Sequence, residues 1–350
     1  MTPMPPELNI ETLPSRRDEA WKWTDLRGAA KTDQNGLSGV CTPRFEAPEG
    51  VYVSQGEGHA GDHPMAKLAA QFSPESWNIY VPPGTNADAP LAIEDISGGH
   101  GRIAIMVDKG AQLNMVEHHA ASAGSFTNLD MQIHLAEGAV LNRVIVHEDA
   151  DEALRVVTSC VAMEAGAKIT QHSLSFGGGL SRLETRLYGE GAGIEAHIHG
   201  AYLLDGKRHT DMTSHIHLKA PDSLIRQSVK GVVSDTARGV FQGKFHVERP
   251  AQKTDAEMRH DALMLSDRAQ VRAKPELEIY ADDVECAHGN TIGALDESAL
   301  FYMRQRGIPL VKARALLTEA FVAGVFDDLA DEALRDSLLG KIREWLETDT

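Results

Sequence analysis

The 350-residue sequence is poor in cysteine, with only Cys41, Cys160 and Cys286. No two of them form a Cys-x-x-Cys pair, and three cysteines cannot build a disulfide framework. Aromatic residues make up only 5% of the chain, which counts against the aromatic platforms of a carbohydrate-binding groove. The low cysteine content is typical of a protein from the reducing cytosol.

Basic residues and long hydrophobic runs are also scarce. The 34 Lys and Arg stand against 51 Asp and Glu, which gives a net charge of −17. Such a surface repels phosphate backbones and anionic membranes. The N-terminal 26 residues contain no hydrophobic signal region, and apolar stretches such as Ile103–Val107 are too short to span a bilayer. We therefore expect a cytoplasmic protein that binds neither nucleic acid nor membrane.

Motifs of self-contained enzymes are absent from the sequence. There is no G-x-x-x-x-G-K-[ST] phosphate loop and no G-x-S-x-G nucleophile elbow. The glycine run at 177–179 lacks the lysine of a phosphate loop and is interpreted as a flexible turn. Because hydrophobic residues still reach 42%, the chain has enough apolar material for a folded core.

A regular repeat dominates the middle of the chain. Gly-Ala pairs begin at Gly110, Gly138 and Gly166, each 28 residues after the last, and a fourth begins at Gly191 after 25. Segments between 193 and 247 alternate with a period of two, which indicates strands rather than helices. Strands at a fixed repeat predict a mainly β fold with a β-solenoid core over residues 96–295. A sandwich of two antiparallel sheets has similar strand spacing and stays open as the alternative.

The two ends of the sequence differ from this repeat. Residues 1–95 are predicted to be helical, irregular or short strands, and residues 296–350 to form a helical domain. Pro309 lies at the start of one helical pattern and Asp331 caps a second. We expect these C-terminal helices to close the last coil of the solenoid, which would otherwise expose its core and a free strand edge.

Three groups of residues have the potential for chemistry. The pairs His197/His199 and His215/His217 each place two imidazoles on one face of a strand, where they could bind a metal or form surface ladders. Asp282 and Asp283 could serve a solenoid carbohydrate-active enzyme, but adjacent strand residues point to opposite faces, which favours a turn. Cys286 and His288 are two residues apart, so they share a face and offer a thiolate and an imidazole to iron, zinc or copper. One such pair is half a metal site, and a structural cysteine is the alternative.

Several segments resemble the SufB/SufD family of the SUF iron–sulfur cluster assembly system. They are SRRDEAWKWTDL (15–26), QSVKGVVSDTARGVFQGKFHVERPAQKTDA (227–256), KPELEIYADDVECAHGNTIG (274–293), FYMRQRGI (301–308) and ARALLTEAF (313–321). The Cys-x-His-Gly form at 286–289 resembles the SufD-type members. The resemblance implies a right-handed parallel β-helix with helical termini that is not an enzyme by itself.

The resemblance also implies partners and site residues. Members of this type pair with a SufB-like paralogue and hold a SufC-like ATPase through their C-terminal helices, where we expect Leu317 and Phe321 to contribute. No cofactor is expected to bind stably to the isolated chain. Iron or a nascent iron–sulfur cluster is expected transiently at the interface with the paralogue, near His288 and Cys286, and the resemblance links such proteins to iron acquisition. A metal-delivery protein using the His-x-His pairs stays open as an alternative function.

Overall fold

A computed structural model describes residues 8–31 and 36–348 of the chain. Strands hold 46% of the residues and helices 18%, so the chain is mainly β, as predicted. The strands are β1 (Arg44–Glu46), β2 (Tyr52–Glu57), β3 (Glu75–Val81), β4 (Leu91–Glu94), β5 (Gly99–Val107), β6 (Gln112–His119), β7 (Phe126–Leu135), β8 (Val140–His147), β9 (Leu154–Met163), β10 (Lys168–Ser175), β11 (Leu180–Gly189), β12 (Glu195–Leu204), β13 (His209–Leu218), β14 (Leu224–Val233), β15 (Arg238–Val247), β16 (Asp255–Met264), β17 (Gln270–Ile279) and β18 (Glu285–Gly293).

From β3 onward, consecutive strands alternate between two nine-stranded sheets and wind into a β-solenoid of about eight turns. Sheet I has the order β1-β4-β6-β8-β10-β12-β14-β16-β18, and sheet II the order β17-β15-β13-β11-β9-β7-β5-β3-β2. Pairing is parallel from β3 and β4 onward, while β1 and β2 are antiparallel to their neighbours. The parallel ladders exclude the antiparallel sandwich and confirm the solenoid.

The Gly-Ala repeat marks the turn that carries the chain from one sheet to the other. Gly110, Gly138 and Gly166 have φ of 64°, 68° and 68°, a backbone conformation that favours glycine. Each donates its N–H to a carbonyl of the next coil, as Gly138 does to Ala165. The repeat is therefore a turn requirement, and it explains why the period is visible in the sequence.

The solenoid interior is apolar along most of its length but contains charged groups in its N-terminal half. Arg143 donates from Nη2 to Oε2 of Glu117 at 3.1 Å, and both side chains are fully buried. Arg155 and Asp149 form a second buried ion pair, with Nη2 and Oδ1 2.6 Å apart. The Arg143 guanidinium holds the pKa of Glu117 at about 2, against the desolvation that would raise it. Breaking either pair would leave an uncompensated buried charge.

The N-terminal segment covers the outer face of sheet II. It contains the 3₁₀ helices Ile10–Thr12 and Glu19–Trp21 and the short helix α1 (Leu26–Ala29), and α2 (Pro64–Phe72) lies beside β5 and β7. Leu13, Trp21 and Leu26 pack with residues of β7, β9 and β11 such as Phe126. The Trp21 ring lies 4.3 Å from the Arg182 guanidinium carbon. Trp21 therefore anchors the N-terminal segment on sheet II.

The C-terminal helices occupy a position other than the predicted one. They are α3 (Glu297–Gln305), α4 (Leu310–Ala323) and α5 (Glu332–Thr348), with a 3₁₀ turn at Gly324–Phe326. Phe326, Leu338 and Ile342 pack against the outer face of β8, β10, β12 and β14 in sheet I. The prediction that they close the last coil is wrong, because the apolar surface that they cover lies on the flank of the solenoid. No helix of the described ranges is long and apolar enough to span a membrane.

Candidate functional site at the open coil end

Cys286 and His288 lie on β18, the last strand of sheet I. Their register partners on β16 are Ala256 and Met258, both buried in the solenoid core. The two side chains therefore continue an inward-facing column into the final coil, as their spacing predicted. His288 is exposed and Cys286 half-buried, because β18 is the outermost strand and has a paired neighbour on one side only.

The thiol and the imidazole have different surroundings. Cys286 packs against the edge of the core, and burial raises the pKa of its thiol, with a smaller contribution from the charge of Asp255. His288 is open to ligands from outside the chain. The pair therefore offers an exposed imidazole and a thiol that a metal would have to deprotonate.

Three residues that the sequence analysis missed connect the site to the interior. Oδ1 of Asn290 lies 2.7 Å from Nδ1 of His260, and Nε2 of His260 lies 2.9 Å from the Tyr202 hydroxyl. His260 also stacks on Phe241 with an interplanar angle of 5°. Burial lowers the pKa of His260, which favours the neutral ring. The contacts link β18 to two deeper coils, and only the register between coils brings these residues together.

The free edge of β18 carries a row of backbone groups. In a parallel ladder, successive residues turn their N–H and C=O groups to opposite sides. Glu285 donates its N–H inward to the Thr254 carbonyl, so the N–H groups of Cys286, His288, Asn290 and Ile292 point to the free edge. Ile292 is 42% exposed, and residues 286–293 contain no Lys, Arg, Asp or Glu. This edge has none of the usual protection against pairing.

The free edge of β17 differs from that of β18. Gln270 donates its N–H to the Ala237 carbonyl on the side of β15, so the backbone N–H groups of the odd-numbered residues of β17 point to the free edge. Pro275 is one of these residues and has no N–H to donate. β17 also carries four charged side chains, Arg272, Lys274, Glu276 and Glu278. Of the two strands at this end, β18 is the one suited to pairing with another chain.

Asp282 and Asp283 lie in the turn between β17 and β18 and are both exposed. The backbone carbonyl of Asp283 accepts the Lys253 N–H, and its N–H donates to Oε1 of Gln252 at 2.9 Å. These contacts fasten the turn to the preceding coil. They agree with the turn role that their adjacency favours, and they give no support to a carboxylate pair for glycoside hydrolysis.

The His-x-His pairs acquire partners from distant parts of the chain. Nε2 of His199 lies 3.3 Å from Oδ2 of Asp328, and Nε2 of His172 lies 2.8 Å from the other carboxylate oxygen. Asp328 lies between the 3₁₀ turn and α5, and these two histidines hold its pKa well below the usual range, against desolvation. His197, His199 and Asp328 form one group of potential metal ligands, and His217, His246 and Glu248 form a second. His215 belongs to neither group.

Leu317 and Phe321, the expected docking residues, are half-buried on α4. The Phe321 ring lies 5.1 Å from Nζ of Lys230, whose ammonium donates to the Phe321 carbonyl at 2.6 Å. Phe321 therefore contributes to holding α4 on β14. The most exposed apolar side chains of the helices are Phe301 (64%), Tyr302 (59%) and Val311 (54%).

The fold and the site define a β-solenoid protein whose candidate ligands lie at one open coil end. The family model described as SUF system FeS cluster assembly, SufBD core domain, matches residues 91–321, about two thirds of the chain. The chain belongs to this family, as the sequence motifs indicated.

Curated relatives support the assignment. The chain is 27% identical to the iron–sulfur cluster assembly protein SufD of Escherichia coli K12, over 95% of this chain and 89% of that protein. It is 26% identical to a SufBD family protein of Synechocystis, over 81% of this chain and 66% of that protein. It is also 28% identical to the chloroplastic protein ABCI7 of Arabidopsis thaliana, over 77% of this chain but only 60% of that protein.

Proposed function

We propose that the chain is a non-catalytic scaffold subunit of a SUF iron–sulfur assembly complex in the cytoplasm. It pairs through β18 with a SufB-like paralogue and docks a SufC-like ATPase on its C-terminal helices. Iron or a nascent cluster is held transiently between Cys286, His288 and ligands of the paralogue. Family membership supports the assembly role, and the observation that carries the pairing is the open edge of β18, which is uncharged over residues 286–293.

The number of ligands supports a shared site. Cys286 and His288 supply two ligand atoms, and neither belongs to a group of three or more potential ligands among the described residues. Iron in a cluster needs more donors than this pair offers. A strand of the paralogue added to β18 would bring its side chains next to both residues, by the strand-addition mode in which backbone hydrogen bonds supply affinity.

The C-terminal helices have apolar surface beyond what their packing on sheet I uses. Val311 and Leu316 of α4 are 54% and 37% exposed, close to the half-buried Leu317. A groove of about 440 Å³ runs between the helices and sheet I and includes Leu300, Val311 and Thr318 in its lining. An apolar helix face beside a groove is suited to a protein partner.

The test of the cluster site is reconstitution of the purified complex with iron and sulfide. His288→Ala should leave the fold and the co-purifying partners unchanged but abolish the visible iron–sulfur absorbance, because the exposed imidazole contributes little packing. The matched control is His134→Ala, which removes a half-exposed histidine from sheet II and should keep full cluster yield. Full yield from His288→Ala would remove this residue from the mechanism, and loss of the complex would assign it a structural role.

The test of ATPase docking is co-purification of the ATPase with helix variants. Leu317→Glu should release it, because a charge placed in an apolar contact loses its hydration. Phe321→Glu should do the same but also weaken the contact with Lys230, so its melting temperature must be compared with that of the wild type. Ala330→Glu, at an exposed position after α4, is the control for added charge. Retention of the ATPase by folded Leu317→Glu would contradict the assignment.

A further inference from the structure

A column of outward-facing residues on sheet II contains two adjacent histidines. Register pairing aligns one position of six successive strands from β7 to β17, occupied by His134, Ala162, Tyr188, His217, His246 and Glu278. The rings of His217 and His246 lie 4.4 Å apart between centroids, in an edge-on arrangement. Both rings are half-exposed, so solutes can reach them.

A carboxylate completes the group. Glu248 follows β15 directly, and its Oε1 lies 2.7 Å from Nε2 of His217. One ligand atom from each of His217, His246 and Glu248 lies within 4.8 Å of the others. We propose that these three residues form a binding site for a divalent first-row transition metal, separate from Cys286 and His288 on the other sheet.

Glu278 orients the second imidazole. Its Oε2 lies 2.9 Å from Nδ1 of His246, while its other oxygen accepts from Nζ of Lys244 at 2.7 Å. With the proton of His246 on Nδ1, Nε2 keeps its lone pair for a metal. A carboxylate behind a ligating histidine is the usual outer support of such sites, where it fixes the tautomer and raises the basicity of the ring.

The neighbouring histidines do not offer an equivalent site. His215 pairs in register with Arg186 on one side and Lys244 on the other, so a cation placed there would meet two positive charges. In the group at His199, the two oxygens of Asp328 are already shared between His172 and His199, and they hold a C-terminal segment to sheet I. That group also has an outer carboxylate, because Oε1 of Glu195 lies 3.0 Å from Nε2 of His197. Its ligand carboxylate is shared with a third histidine, however, whereas Glu248 contacts a histidine of its own group, His217.

The donor set defines the class of metal. Two imidazoles and a carboxylate suit Zn²⁺, Co²⁺ or Fe²⁺, whereas Ca²⁺ and Mg²⁺ prefer oxygen ligands alone. Three protein ligands leave coordination positions for water, as in sites that keep an open position. Because the group is half-exposed, the metal should exchange with solution.

The probe is Co²⁺ titrated into the full-length chain carrying Cys286→Ser and His288→Ala, so that the open coil end contributes no signal. We expect one saturable Co²⁺ ion with visible ligand-field absorbance and no sulfur charge-transfer band. Glu248→Gln and His246→Gln should each weaken binding by about tenfold or more.

The matched control is His134→Gln, made in the same background. His134 lies on the same column and has its own carboxylate, with Nε2 3.0 Å from Oε1 of Glu164, but it has no second histidine in register. This variant should bind Co²⁺ as tightly as the background protein. Absence of saturable binding in the background protein would overturn the proposal, and so would an equal loss of affinity in His134→Gln and Glu248→Gln.

Discussion

The two ends of the solenoid differ in the length and chemistry of their outermost strands. At the N-terminal end, β1 and β2 are three and six residues long, and Arg44 of β1 forms ion pairs with Glu46, Glu94 and Asp95. At the C-terminal end, β17 and β18 are ten and nine residues long. Short strands, charges and proline are the usual protection of free edges. β1 and β17 have such protection, whereas residues 286–293 of β18 lack it, which supports the proposed pairing through β18.

The largest effect should come from a proline in β18, which would make the free edge of β18 as unsuited to pairing as that of β17. Asn290→Pro removes an outward N–H and leaves its acceptor on an added strand unpaired, which costs about 1–3 kcal/mol. The proline ring would also clash with that strand, so we expect a loss of affinity of roughly a hundredfold. The hydrogen bonds to β16 remain, because they use the odd-numbered residues. Affinity for the SufB-like partner and the melting temperature are the two measurements.

The control for this variant is Asn290→Ala, which loses the side-chain contact with His260 but keeps the N–H. It should retain the partner. Equal affinities for Asn290→Pro and the wild type would show that the partner pairs elsewhere.

Acid should loosen the covered N-terminal part of the molecule. Thr24 of the N-terminal segment hydrogen-bonds to buried His209 on β13, and burial lowers the pKa of His209 to about 4. Between pH 6.5 and about 4, the unfolded chain binds a proton here that the folded chain does not, so stability falls as the pH decreases. This group alone should cost about 2–3 kcal/mol of the free energy of unfolding across that range.

Denaturant unfolding at several pH values measures this effect. His209→Gln should lose less free energy of unfolding than the wild type between pH 6.5 and 4, whatever its stability at pH 7.5. Equal losses in the two proteins would mean that His209 is not the group that couples the N-terminal segment to pH.

The solenoid could be predicted from the sequence because its signals are local. A turn glycine at Gly110, Gly138 and Gly166 and the alternation within each strand depend only on neighbouring residues. The same local pattern correctly placed Cys286 and His288 on one face. The face of a strand on which a side chain lies can therefore be predicted without knowing which strand is its neighbour.

The sequence of sheet I does indicate that a further element covers its outer face. Residues 144–146 and 201–204 are continuous apolar runs in which alternation fails, and such runs indicate strands buried on both faces. The outer face of sheet I therefore needed a cover, and the helices supply it. The apolar faces of the helices pack on these strands and remove both surfaces from water.

Contacts between side chains of neighbouring coils could not be predicted from the sequence, because the number of residues per coil varies. His217 meets His246 only through register, and the Gly-Ala spacing changes from 28 to 25 residues along the chain. A shift of one residue in the pairing register would move the side chains of a strand to the opposite face of the sheet. The prediction paired His215 with His217 along one strand, whereas the ligand group lies across two strands and excludes His215.

A smaller effect should follow from removing the protection of β17. Pro275→Val restores an outward N–H in the middle of that edge, and one additional intermolecular hydrogen bond is worth about 1 kcal/mol. We expect weak self-association of the purified chain, measured by sedimentation at increasing concentration. Pro48→Val, outside the strands, is the control, and identical sedimentation of Pro275→Val and the wild type would show that charge alone protects β17.

The smallest effect should come from Cys286→Ser. This variant distinguishes the role of Cys286 from that of His288 at the open coil end. Burial raises the pKa of the Cys286 thiol, so at neutral pH it is protonated and a poorer ligand than the exposed imidazole of His288. Serine is nearly isosteric, so the packing of Cys286 against the core edge should be retained. Cluster yield in the reconstituted complex should fall by roughly threefold or less, against complete loss in His288→Ala. Equal losses in the two variants would mean that the partner or the incoming iron deprotonates the thiol, and that Cys286 carries sulfur or binds metal as an equal of His288.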